Sequence, residues 1–272
     1  MDSIIDALER IKSNSITKDS TIGGFIIGKK WFSTKKAKIA KCLITPRITR
    51  AVVAQAAQEG IKLVVSIHPP TFTHGFEQKV EDAQLDLLKI IIDKKIALYS
   101  LGGEWLISED GGFDYLFDLL DFQYKSQITI PFTNRIGKEK IIIGRLGERK
   151  KKLKLSEFLY LLQQFVDQEI RYLGYNELPV QRALILNEIV DEGMILEIDQ
   201  IEKVDVAIVG EITYEALLAA QLIKLPLVIV GKRNLENMII SKVRRKLMEE
   251  ITINLPEIII KKQDEIGTKY ST

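Results

Sequence analysis

A chain of 272 residues, 46% hydrophobic and 28% charged, is long enough for two lobes and should remove roughly 75% of its unfolded surface from water. Its 39 Lys and Arg against 37 Asp and Glu leave a net charge of +2, which gives no general attraction to nucleic acid or to an anionic membrane, so such a partner needs a local patch. The single cysteine, Cys42, excludes an intrachain disulfide and a cysteine-cluster metal site, and fits a reducing, cytoplasmic compartment.

The opening stretch, MDSIIDALERIK, has no positive leader ahead of an apolar core, and no apolar run reaches membrane length, so neither secretion nor membrane insertion is expected. Ile4, Ile5, Leu8 and Ile11 fall at helical spacing and predict a docking helix. Residues 20–30 (STIGGFIIGKK) place Gly23, Gly28 and Lys29 at P-loop spacing. Lys30, however, stands where a magnesium-binding Ser or Thr belongs, and Phe25, Ile26 and Ile27 are strand formers where a phosphate cradle is needed. The stretch reads as a glycine turn and a strand.

Residues 38–44 read as a strand, 49–59 as a helix ended by Gly60, and 62–67 as a second strand, together a βαβ unit. The second strand stops at His68, Pro69 and Pro70, because proline cannot continue a ladder. His68 is therefore expected at a strand's carboxyl end, where open α/β sheets gather ligands and where a neutral imidazole can ligate metal or carry a proton. A hydrogen-bonded loop histidine is the plainer alternative. Residues 80–94 repeat a helical face, 96–100 form a strand, and the alternation implies a parallel sheet. Residues 101–112 (LGGEWLISEDGG) then make a loop at the same sheet edge, followed by a helix to Leu120.

The middle is more polar and holds the strongest charge run, RKKKLK at 149–154. Without interleaved aromatics it reads as a solvated linker rather than a phosphate-binding strip. Ser156 is the expected cap of a helix over 157–169. Strands are expected at 182–186, 205–209 and 227–230, a helix at 214–223, an Asn234-capped helix at 235–250, and a last strand at 257–260. The resulting organisation is an N-terminal α/β lobe over 1–125, a connecting segment over 126–180, and a C-terminal α/β lobe over 181–272.

Residues 48–68 align without a gap on 212–232, at a constant offset of 164 (212 − 48 = 232 − 68). Thr49 pairs with Thr213, Ala56 with Ala220, and His68 with Lys232. Two βαβ units share apolar spacing in any case, so the match predicts repeated architecture. His68 and Lys232 would then stand at equivalent strand ends.

Taken in order, TIGGFIIG from Thr21, LITPRITRAVVAQAAQEG from Leu43, VSIHPPTF from Val65, Tyr99, Gly111 and Gly112, DVAIVGEITYEAL from Asp205 and VGKRNLE from Val230 resemble the Nif-three-like family. Its members are described as dinuclear-metal-centre hexamers, sometimes labelled type-two GTP cyclohydrolase-like. The resemblance covers nearly the whole chain. It implies an α/β fold of two related βαβ-containing lobes with mixed, mostly parallel sheets, and a homo-oligomer, a ring-shaped hexamer.

The family holds two metal ions with a His-His-Pro loop, a His and an Asp after the tyrosine, and a His four residues before a Glu. Such imidazoles and bridging carboxylates suit two divalent ions sharing an activated water. This chain departs at most of those positions. Ile67 replaces the first loop histidine and leaves His68; Gly102, Gly103, Leu106 and Ile107 occupy the second loop; Lys232 replaces the last histidine while Glu236 remains. His68 and Glu236 are the residual ligand positions for a divalent metal of the Zn, Fe or Mn type. Glu104, Glu109, Asp110 and His74 lie near these loops in sequence and could supply substitutes. The expectation is a non-catalytic scaffold or binding protein with a degenerate metal cleft, in which the Lys232 ammonium supplies charge that a metal supplies in relatives. The alternative is a metal-dependent hydrolase of a phosphate- or nucleotide-containing small molecule, and the third reading is a nucleic-acid-binding ring using 149–154.

Overall fold

The computed structural model describes residues 4–13, 23–32, 39–70, 82–133, 138–186, 190–201, 203–251 and 255–263. The chain divides into two compact units, Met1–Trp105 with Ile240–Thr272, and Leu106–Ile239.

Helix α1 (Ile4–Ser13) buries Ile4, Ala7, Leu8 and Ile11, the stripe expected from its spacing. Strand β1 (Gly24–Ile27) and a 3₁₀ turn, Lys29–Phe32, occupy the P-loop-like stretch. There follow β2 (Lys41–Thr45), α2 (Arg50–Gln58), β3 (Leu63–Ser66), α3 (Asp82–Asp93), β4 (Ala97–Ser100) and a 3₁₀ turn, Gly103–Leu106. Next come α4 (Gly112–Leu119), β5 (Gln123–Thr133), β6 (Lys138–Lys154), α5 (Leu155–Gln163), β7 (Arg171–Leu173), β8 (Pro179–Leu186) and α6 (Glu192–Ile201). The chain closes with β9 (Val206–Val209), α7 (Tyr214–Leu222), β10 (Leu227–Ile229), α8 (Lys232–Glu250) and β11 (Glu257–Ile260).

The first sheet has the order β1-β4-β3-β2-β11. β2, β3, β4 and β11 run parallel and β1 antiparallel. All four residues of β3 and of β4 are buried, as continuous apolar runs in a parallel sheet require. The final strand, expected within the 181–272 lobe, pairs instead with β2, Ile258 opposite Cys42 and Ile260 opposite Ile44.

The second sheet has the order β5-β6-β8-β9-β10-β7. β8, β9 and β10 are parallel; β5, β6 and β7 join antiparallel. The expected connecting segment is thus largely two long strands. Ile128 and Ile130 are buried while the alternate residues Gln127 and Thr129 are half-buried, a period of two that marks a strand with one covered face. The basic run is the end of β6. Helix α5 begins at Leu155, and its cap is Lys154 rather than Ser156. The Glu157 carboxylate reaches back to accept from the Lys154 N–H at 2.8 Å, which satisfies a first-turn donor from inside the helix.

The 164-residue offset recurs in detail. Thr49 and Thr213 cap α2 and α7, their hydroxyls accepting from the Val52 and Ala216 N–H groups. Past the helix ends, Gly60 at φ +68° matches Lys224 at φ +59°, and Ile61 and Leu225 donate to Ala56 and Ala220 O at 2.8 and 2.9 Å. Both units therefore hold a strand, a Thr-capped helix closed by a left-handed residue, and a parallel strand.

Candidate functional site at the strand ends

Thr45, Ser66 and Ser100 end β2, β3 and β4 in a single register row, and all three are fully buried. A buried hydroxyl needs a partner, and each of these binds a loop. Thr45 donates to Arg47 O at 3.1 Å and accepts from Gln263 Nε2 at 3.0 Å. Ser66 donates to His68 O at 2.7 Å, and Ser100 donates to Ile67 O at 3.1 Å. Backbone bonds complete the clasp: Ile67 N to Thr45 O, His68 N to Pro46 O and Gly102 N to Ile67 O. The row was not foreseen in the sequence. Its signal is a Ser or Thr closing each apolar run, KCLIT, LVVS and ALYS. In the repeat, the positions of Thr45 and Ser66 fall on Val209 and Val230 (45 + 164, 66 + 164).

His68 emerges from this clasp at the carboxyl end of β3, half-buried. Ile67 before it is fully buried, a hydrocarbon within the core. Gly103, in the loop after β4, packs closely on His68, since a β-carbon there would lie 3.3 Å from both Cε1 and Nδ1. Glu104 follows, half-buried, on the 3₁₀ turn Gly103–Leu106. Leu106 and Ile107 are buried. Glu109 and Asp110 are exposed, and the Asp110 N–H donates to Asp114 at 2.8 Å. His74 lies outside the described residues.

In the second unit, Lys232 opens α8 directly after Gly231, whose φ is +82°. Gly210, past β9, leaves no room for a side chain: a β-carbon there would stand 3.0 Å from Lys232 Cα. Asn234 is inside the helix and not its cap, its Nδ2 donating to Val230 O at 2.8 Å. Glu236, four residues after Lys232 on the same helical face, is 2% exposed.

The same unit holds a fully buried Arg145 on β6, whose Nε donates to Asp114 Oδ1 at 2.9 Å and whose Cζ stands 3.7 Å from the centre of the Tyr124 ring. Sequence reasoning missed it, although a lone charge inside IIIGRLG signals a paired arginine. In the first unit, burial pushes the Cys42 thiol well above its ordinary range, and burial with the Glu9 carboxylate does the same for the Tyr99 hydroxyl.

The structure therefore keeps His68, Ile67 and Glu104 at the edge of the first sheet and Lys232 and Glu236 at the start of α8. Among the described residues, no group of three or more His, Cys, Asp or Glu side chains is placed to hold a metal ion. Among the described residues the donors at these loops do not fit a dinuclear centre: a divalent ion wants several oxygen or imidazole ligands, and the residues beside His68 and in the loop after β4 include Ile67, Gly102, Gly103, Leu106 and Ile107. Among the described residues, no helix is long and apolar enough to cross a membrane.

Residues 1–265 match the family profile described as Duf34/NIF3 (NGG1p interacting factor 3). A protein of Clostridium perfringens named "GTP cyclohydrolase 1 type 2 homolog" is 25% identical over 270 residues, covering 96% of each chain. Two solved structures share the fold. A Bacillus cereus protein related to NIF3 has a TM-score of 0.73 at 15% identity, with 96% of each chain covered. The Staphylococcus aureus hypothetical protein SA1388 has a TM-score of 0.74 at 16% identity, with 98% of each covered.

Proposed function

This chain belongs to the Duf34/NIF3 family, and we propose that within it the chain serves as a non-catalytic binding or scaffold protein whose metal site is degenerate. The observation that carries this reading is the content of the loop after β3. Where two adjacent donors would be needed to begin a two-metal site, Ile67 is fully buried and His68 packs on Gly103. A core isoleucine cannot turn outward without opening a cavity, so the loss is built into the packing.

The second support is the start of α8. Burying a carboxylate away from any cation is costly, and Glu236 is 2% exposed. Lys232 lies one turn away and supplies an ammonium where a histidine and its metal would otherwise provide positive charge. On this reading the start of α8 needs no metal ion. The assembly implied by the family likeness is a homo-oligomer, a ring of six copies of 30.9 kDa, which light scattering would read directly.

Titrating the purified protein with Zn²⁺ or Mn²⁺ in a calorimeter tests the reading. The expected result is no saturable uptake approaching two ions per chain. Saturation at about two ions, the count of a two-metal hydrolytic site, would overturn it in favour of a metal-dependent hydrolase acting on a phosphate- or nucleotide-containing small molecule.

A further inference from the structure

The basic run at 149–154 has no aromatic neighbour in sequence, and the fold supplies one. β6 outruns β5 there. Its pairing with β5 ends at Glu148 opposite Gln123, and its pairing with β8 lapses between Glu148 and Leu153. Lys150, Lys151 and Lys152 sit on that unpaired stretch, all exposed, and among the described residues none of the three has an ion-pair partner. The cations at either end of the run are engaged. Arg149 donates to Leu120 O at 2.8 Å and to Asp121 at 2.7 Å, and Lys154 pairs with Glu177 at 2.7 Å.

Near these lysines in sequence, the end of β6 and the first turns of α5 form an open, shallow groove of about 490 Å³ lined by Arg149, Leu153, Ser156, Glu157, Tyr160 and Leu161. Its floor is largely apolar and Tyr160, 69% exposed, offers a ring face at its rim. Arg149 Nε is buried and lacks a partner among the described residues. A second exposed ring, Tyr175, comes from the turn at 174–178, which is bonded to this junction through Ser156 N to Asn176 O and Leu155 N to Leu178 O. Aromatic faces that stack bases, next to a row of cations that follows a backbone, are the two parts of a single-strand platform.

We propose that this groove binds single-stranded nucleic acid, with a base stacked on Tyr160 and backbone phosphates neutralised by Lys150, Lys151 and Lys152. Three adjacent exposed ammonium groups exceed what one mononucleotide phosphate engages, which favours a strand over a free nucleotide. A duplex keeps its base faces stacked and offers nothing to Tyr160. The groove shares no residue with the degenerate metal positions, so the proposal stands or falls independently of them.

The test is fluorescence anisotropy of the full-length chain with a labelled oligothymidine of about twelve nucleotides. Saturable binding is expected at 50 mM salt. With three phosphates neutralised at a slope of about −0.7 each, it should weaken roughly twentyfold at 200 mM. Tyr160→Ala, an exposed position where folding is not at issue, should weaken it about tenfold, the loss of one stacked base. Replacing all three lysines by glutamine should flatten the salt dependence. Absence of binding at 50 mM salt, binding unaltered by both sets of substitutions, or equal binding of duplex DNA, an acidic peptide or a mononucleotide would each overturn the proposal.

Discussion

His68 packs against Gly103 so closely that a β-carbon on the glycine would stand 3.3 Å from two atoms of the imidazole ring. The loop after β4, which in the family pattern would bring ligands toward a metal, here presents bare backbone to the histidine. His68 is held by that contact and by the clasp of Ser66 and Ser100. The same contact makes its own stability prediction.

Alanine at Gly103 should be close to neutral by itself. It gains about 0.4–1 kcal/mol by restricting the unfolded chain, since Gly103 has no left-handed backbone to protect, and loses about 1 kcal/mol to the tight contact. In a His68→Ala background the contact is gone, and Gly103→Ala should stabilise. A urea-denaturation cycle should therefore show a coupling of about 1 kcal/mol; additive effects would contradict the packing.

Lys232→Met removes the ammonium one turn before the buried Glu236. Breaking a fully buried pair costs about 3–5 kcal/mol, and because Lys232 is only half-buried a loss of about 1–3 kcal/mol is expected after discounting for solvent. Lys232→Arg should retain most of the stability. An unchanged melting temperature for Lys232→Met would show that Glu236 is neutralised by another group.

How far the sequence reveals this molecule depends on how local each cause is. β3, β4, β9 and β10 are short apolar runs buried on both faces, so these were legible, whereas Thr49, read as the first residue of its helix, is its cap. The β5–β6 hairpin was not, because one polar face and a lysine-rich end resemble a linker until the partner strands are known. Nor could any local pattern place β11 beside β2, residues separated by more than two hundred positions. At the site, proline marked His68 as a strand end. What holds it, a hydroxyl row assembled from three strands, exists only once register is set. The start of α8 differs from the expectation: the helix begins at Lys232, and Asn234 lies inside it, its amide donating to Val230 O.

Removing that hydroxyl row should loosen the loop it holds. Ser66→Ala and Ser100→Ala each remove a hydroxyl donor to a loop carbonyl, His68 O or Ile67 O, a loss of about 1 kcal/mol apiece. Both bonds secure residues 67 and 68, so the double variant should fall short of the sum. Faster amide hydrogen exchange at Ile67 and His68 in either variant is the local readout; unchanged exchange would mean that the backbone bonds alone hold the loop.

Alkaline pH should destabilise the fold through two buried groups. Cys42 and Tyr99 have ordinary values of 9.0 and 10.0, and burial holds both higher in the folded chain. The folded state thus keeps protons that the unfolded state releases, so the stabilisation is complete below about pH 9 and declines as pH rises above it, first through the thiol and then the phenol. A Cys42→Ala/Tyr99→Phe chain should lose less stability between pH 9 and 11 than the parent. Equal alkaline slopes would contradict the assignment.

The most direct test of the central claim is the metal content of the chain purified without chelator, measured by elemental analysis beside its protein concentration. With Ile67 in the core, glycine and hydrocarbon in the second loop and Lys232 at the last histidine position, the expected content is far below one divalent ion per chain. A stoichiometry of about two bound ions per chain would contradict the claim and restore the two-metal reading of this site.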